Sequence, residues 1–93
     1  MAEIPNIGTV EIKGTVDAFY RAAAPDLFGE SYYRKTRLRL ESGELTDVWF
    51  DVGFDGNKPA ATLSKGDQVT CQVGRLNMDL GAGNVPTVFS FTK

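Results

Sequence analysis

Apolar and polar residues alternate with period two along most of the chain. From Thr9 to Phe19, Val10, Ile12, Gly14, Val16 and Ala18 alternate with Thr9, Glu11, Lys13, Thr15, Asp17 and Phe19, the pattern of a strand with one buried face. Gly14 lies in mid-strand on the apolar face, where a residue without a side chain commonly marks a bulge or bend. Tyr20 shares the parity of the apolar positions and reads as core. Pro25 and Gly29 then interrupt AAAPDLFG (Ala22 to Gly29), which reads as a long loop; Phe28 within it is placed to clamp a ligand or to anchor the loop.

A second strand is predicted from about Tyr32 to Glu41 and a third from about Leu45 to Gly53, joined by the short hairpin Ser42-Gly43-Glu44. On the second strand, Leu38 and Leu40 share a face with Thr36, Arg34 and Tyr32, while Tyr33, Lys35, Arg37, Arg39 and Glu41 take the other. On the third, Val48, Phe50 and Val52 point one way and Asp47, Trp49 and Asp51 the other. Asp55-Gly56-Asn57 is a turn signal. Lys58 to Ser64 then has room for a turn or two of helix, with Asn57 as N-cap and Pro59 in the first turn. Lys65-Gly66-Asp67 turns the chain into a fourth strand carrying Val69, Cys71 and Val73. Gly81 to Asn84 forms a glycine-rich hairpin tip. Val85 to Thr92 is the fifth strand, with Phe89 and Phe91 read as core.

This order predicts one all-β domain over residues 1–93, a five-stranded Greek-key OB-fold barrel with a short helical turn between strands 3 and 4. The structural competitor is an SH3-like barrel. In OB-folds the ligand face is commonly built from strands 2 and 3 and the loops joining strands 1–2 and 4–5.

Composition narrows the function classes. The 93 residues are 42% hydrophobic and 24% charged, the balance of a folded domain. Twelve acids against ten Lys and Arg argue against binding through bulk positive charge, although a local cluster outweighs the sum at physiological salt. Such a cluster exists: SYYRKTRLRLESGE (Ser31 to Glu44) holds Arg34, Lys35, Arg37 and Arg39 in six positions with no acid among them. With a single cysteine, Cys71, no intramolecular disulfide is possible, and the start Met-Ala-Glu-Ile-Pro has no signal-peptide character. No apolar run approaches the length of a membrane span. The expectation is a soluble cytoplasmic protein, in a host cytoplasm if the source is viral.

The absence of histidine excludes metal sites and triads built on imidazole. Cys71 alternates with valines as a small apolar residue does, and no phosphate-binding glycine loop is present. The reading is therefore a non-enzyme without cofactor or metal.

One segment has a more specific likeness. Asp47-Val48-Trp49-Phe50-Asp51-Val52, then Leu63-Ser64-Lys65-Gly66-Asp67-Gln68-Val69, then Gly74-Arg75-Leu76 resembles the bacterial type of single-stranded DNA-binding protein. That family carries an aromatic-rich third strand followed by "L-x-K-G-x-x-V" and "G-x-L". The resemblance implies an OB-fold that coats single-stranded DNA during replication, recombination or repair. This chain departs from the family in its opening strand, in a shorter connection after strand three, and in stopping at Phe91-Thr92-Lys93 without an acidic tail. The tail's recruitment of repair partners is therefore not implied; the expectation is a compact phage- or plasmid-encoded version or a divergent OB module.

A non-specific binder of single strands needs cations for phosphates and aromatic faces for bases, each stacked base being worth about 1–3 kcal/mol. Tyr33 and Trp49 are the stacking candidates, helped by Phe19. Lys35, Arg37, Arg39, Arg34 and Arg21 are the phosphate contacts, and Tyr32 lies near the open end of strand two within reach of a ligand. With four or five cations engaged, the log–log salt slope is expected at roughly −2 to −4. The plain alternative is a solvated strand whose cations pair with Asp47, Asp51 and Glu41, with Trp49 in a core or subunit interface. Two functional alternatives stand beside single-stranded DNA: an RNA-binding OB domain and a protein–protein interaction module. Self-association is expected of so small a barrel, with no symmetry indicated.

Overall fold

The computed structural model describes residues 4–5, 7–25, 32–53, 56–78 and 83–93, without the side chains of 21–25, 32, 77–78 and 83–84. Phe28, Asp55 of the predicted turn, and Gly81 and Ala82 of the strand 4–5 hairpin tip lie outside the described residues. Five strands form: β1 (Val10–Pro25), β2 (Tyr32–Leu40), β3 (Leu45–Asp51), β4 (Gln68–Met78) and β5 (Gly83–Thr92). They close into a barrel in the order β1-β2-β3-β5-β4. All neighbours are antiparallel except β3 and β5, which pair in parallel at Trp49↔Thr87 and Phe50↔Val88. With the 3-10 turn Pro59–Thr62 between β3 and β4, this is an OB-like barrel, as the element order predicts. No described helix is long and apolar enough to cross a membrane.

The barrel is filled by the inward set of each strand: Ile12 and Val16, Leu38, Val48 and Phe50, Val69, Cys71 and Val73, and Val88, with Ala60 and Leu63 from the 3-10 turn region closing one side. Alternation places these side chains on one surface of a curled sheet, which is how a chain of this size assembles a single core. Cys71 is fully buried, and desolvation pushes its thiol up to about 12, so it stays protonated and behaves as a small apolar residue.

The predicted bend in β1 falls three residues later than Gly14. Thr15 pairs with Arg39 and Val16 with Leu38, but Ala18 pairs with Arg37, so Asp17 is an extra residue in the strand. Gly14 instead permits a close approach: a Cβ there would stand 3.0 Å from the Arg39 carbonyl oxygen and 3.3 Å from Leu38. Because side-chain parity has period two, one inserted residue exchanges inside and outside for everything after it. Phe19 therefore turns inward, opposite buried Thr36, and packs on the core. Tyr20, expected inside, joins the outer surface. The same device corrects β5. Gln72 pairs with Ser90 and Val73 with Val88, leaving Phe89 as the extra residue. It is 55% exposed, whereas Phe91 packs on the core edge-to-face with Phe50.

β1 also continues to Pro25, through the alanine stretch read as loop, because Ala23, Ala24 and Pro25 pair with Arg34, Tyr33 and Tyr32. The 3-10 turn begins after Lys58 rather than Asn57, with no side-chain cap; Pro59 at its start needs none for its own nitrogen.

The turn into β4 is clipped to β1 beside the bulge. Val16 donates its N–H to the Asp67 carbonyl and Gly66 donates to the Val16 carbonyl, both at 2.8 Å, with Gly66 at φ +96°. The Asp67 carboxylate accepts the Ser64 N–H at 2.8 Å and pairs with Lys93 at 3.3 Å. The Ser64 bond, followed by Lys93, holds Asp67 below the ordinary carboxylate range. A carboxylate lowered in the folded state adds stability above its unfolded pKa and loses it as pH falls through the folded value. Asp67→Asn is accordingly expected to be less stable than wild type near about pH 7, with a smaller gap near about pH 2. Urea midpoints at both pH values check this; a gap undiminished in acid removes Asp67 from the account.

Candidate nucleic-acid interface

The outer face of β2 and β3 is a ladder of directly opposed residues. Tyr33 faces Asp51, Lys35 faces Trp49, Arg37 faces Asp47, and Arg39 faces Leu45. The inward residues between them, Thr36, Leu38, Val48 and Phe50, are buried. Pleating alone therefore sends the cations and both aromatics to one surface. Trp49 follows the expected parity: it is half-buried and takes no part in the core.

The structure adds acids and a tyrosine that alternation along β2 alone does not reveal. Asp47 collects three donors. The Tyr20 hydroxyl donates to its Oδ2 at 3.0 Å, Arg37 Nε donates to its Oδ1 at 3.4 Å, and Lys35 Nζ lies 3.9 Å from Oδ2. Arg37 Nη2 also donates to the Tyr20 hydroxyl oxygen. Above the Tyr20 ring sit Lys35 Nζ, 4.6 Å from the centroid, and the Arg37 guanidinium carbon at 5.4 Å, geometry in which the ring face attracts both cations. The hydrogen bond to Tyr20, followed by Asp47, raises the Arg37 pKa, and a guanidinium is charged at any physiological pH. Arg39 pairs with Asp17, the bulge residue, at 3.0 Å.

Each predicted site residue can now be placed. Tyr33, Lys35, Arg37, Arg39 and Trp49 share the outer ladder. Phe19 does not join them: it lies against the core with the Arg34 guanidinium carbon 5.3 Å from its centroid. Arg34 is thus on the far side of β2 from Lys35, at the end of the barrel. Arg21 and Tyr32 are within β1 and β2, and their side chains lie outside the described residues. The pairing with Asp47 was foreseen as the plain alternative for the cations; the Asp17 pairing and Tyr20 were missed. One signal did point to Tyr20. Adjacent Phe19 and Tyr20 must take opposite faces of a strand, and the phenol is the one with a polar handle suited to the outside.

The surface is aromatic at Trp49 and Tyr33 and close to charge balance, since Lys35, Arg37 and Arg39 are opposed by Asp17, Asp47 and Asp51. No group of three or more His, Cys, Asp or Glu among the described residues is arranged to hold a metal. No protein-family model, curated protein or solved structure matches the chain.

Proposed function

We propose that the β2–β3 face binds single-stranded DNA with little sequence preference, and that the protein coats and protects such strands during replication, recombination or repair. The observation that carries this reading is Trp49, a tryptophan outside the core, flanked by Lys35 directly across the ladder and by Tyr33 diagonally. An indole on a pleated surface offers a π-face to any base, and cations one residue pair away meet the backbone that comes with it. The OB-like barrel supports the reading because its second and third strands commonly carry the ligand face. Self-association belongs to the same proposal: among the described residues, β1 pairs with β4 only from Val10 to Thr15, leaving its distal half a strand neighbour on one side.

Titration with poly(dT) and poly(U) tests the proposal through the fluorescence of Trp49, the only tryptophan. Strong quenching by poly(dT), weakening with salt at a log–log slope of roughly −2 to −4, is the expected result. Stronger quenching by poly(U) than by poly(dT) would assign an RNA role in its place.

A second reading has its own support. Phe89 is 55% exposed, Leu45 44% and Ile7 92%, and Phe89 borders a cleft floored by Pro59, Ala60 and Phe91. An exposed aromatic beside a cleft suits a protein partner. Trp49 emission unchanged by either polymer would favour that function.

A further inference from the structure

We infer that Asp47 occupies the seat of a nucleic-acid phosphate, and that an incoming backbone displaces it from Arg37, Lys35 and Tyr20. The inference rests on the single-strand reading above and adds how the face chooses its ligand.

Two cations and a hydroxyl converging on one anion make the donor set of a phosphate site. The carboxylate uses that set poorly. Charge-assisted N–H···O bonds close to about 2.7–2.9 Å when well made, whereas Arg37 stands 3.4 Å and Lys35 3.9 Å from Asp47. Only the Tyr20 bond, at 3.0 Å, has an ordinary length. A backbone phosphodiester has no more charged oxygens than the carboxylate, but it is not tethered to β3 and can settle where it closes the long Arg37 and Lys35 distances.

The seat does not depend on Asp47 to hold its shape. Arg37 donates to the Tyr20 hydroxyl, and both cations lie over the Tyr20 ring, so the phenol proton is left to serve whichever anion is present. Tyr20 is thus a positioning residue, with its ring face already covered. Release of Asp47 is also easy. Its side chain is 35% exposed and those of Lys35 and Arg37 are 37% and 38% exposed, so water solvates the freed carboxylate, unlike the charge orphaned when a buried pair is broken.

The location gives the exchange its meaning. Asp47 and Trp49 are two residues apart on one strand, hence about 7 Å along the same face. A ligand that stacks a base on Trp49 brings a phosphate within reach of the seat and offsets the loss of Asp47. An anion without a free base does not, nor does a duplex whose bases are already stacked. Asp47 thereby holds down the affinity for every anion, and a ligand that also stacks a base on Trp49 is the one that recovers the difference.

Wild type, Asp47→Asn and Asp47→Ser are compared by anisotropy of labelled oligo(dT) at two salt concentrations and by calorimetric titration with inorganic tripolyphosphate, near-UV dichroism reporting the fold. Removing the internal anion is expected to tighten both ligands about three- to tenfold at low salt and to steepen the oligo(dT) salt slope by about one unit. Equal or weaker binding of both ligands by folded variants overturns the inference, and the serine variant covers any local effect of the amide. If wild type fails to bind oligo(dT) while Asp47→Asn gains tripolyphosphate, the seat stands and the DNA reading falls.

Discussion

Phe50→Ala is expected to remove about 3–5 kcal/mol of folding stability, the cost of truncating a fully buried aromatic and leaving a cavity. A domain of this size holds only about 5–14 kcal/mol in total, so a large share of the molecules unfolds under mild denaturant. Phe50 is 2% exposed. It pairs laterally with Arg34 on β2 and Val88 on β5, and its ring meets Phe91 edge-to-face at 5.4 Å. Among the described residues, the β3–β5 seam that closes the barrel has the registers Trp49↔Thr87 and Phe50↔Val88. Backbone hydrogen bonds are few at that seam, and side-chain packing around Phe50 must hold it. Urea unfolding followed by far-UV dichroism measures the loss. Phe50→Leu, which keeps most of the volume, should cost well under half as much. A loss below about 1 kcal/mol for the alanine variant would mean that the seam is held elsewhere.

Period-two alternation made β2, β3 and the first half of β4 legible, because nothing interrupts parity there. Leu38, Val48, Phe50, Val69, Cys71 and Val73 lie inside, and Tyr33, Lys35, Arg37, Arg39 and Trp49 outside, as the pattern requires. Parity failed downstream of an inserted residue. Asp17 carries no mark in the sequence that distinguishes a bulge from an ordinary outward position, and one insertion exchanged Phe19 with Tyr20. Phe89 was misplaced for the same reason. The end of β1 was hidden differently: Ala22 to Pro25 is weak strand sequence, held extended by pairing with Tyr32 to Arg34, so a tertiary partner overrode local preference. The acid partners of the cations were only half legible. Asp47 sits opposite Arg37 once the hairpin register is known, whereas Asp17 reaches Arg39 from another strand only because of the bulge.

Trp49→Ala should separate the two halves of the proposed interaction. Losing one stacked base, about 1–3 kcal/mol, lowers oligo(dT) affinity roughly five- to 150-fold. The salt slope should stay as in wild type, because no phosphate contact is removed. Trp49→Phe keeps a π-face and should recover most of the affinity. Stability should fall much less than in Phe50→Ala, since Trp49 is half-buried and outside the core. The neighbouring positions thus make opposite predictions from one parity argument: truncation at Phe50 unfolds the barrel, and truncation at Trp49 disarms it. Anisotropy of a labelled oligonucleotide gives the affinities without needing the indole's own fluorescence. Unchanged affinity in a folded Trp49→Ala protein would assign the indole a structural role and leave the binding to the cations of β2 or to another face of the barrel.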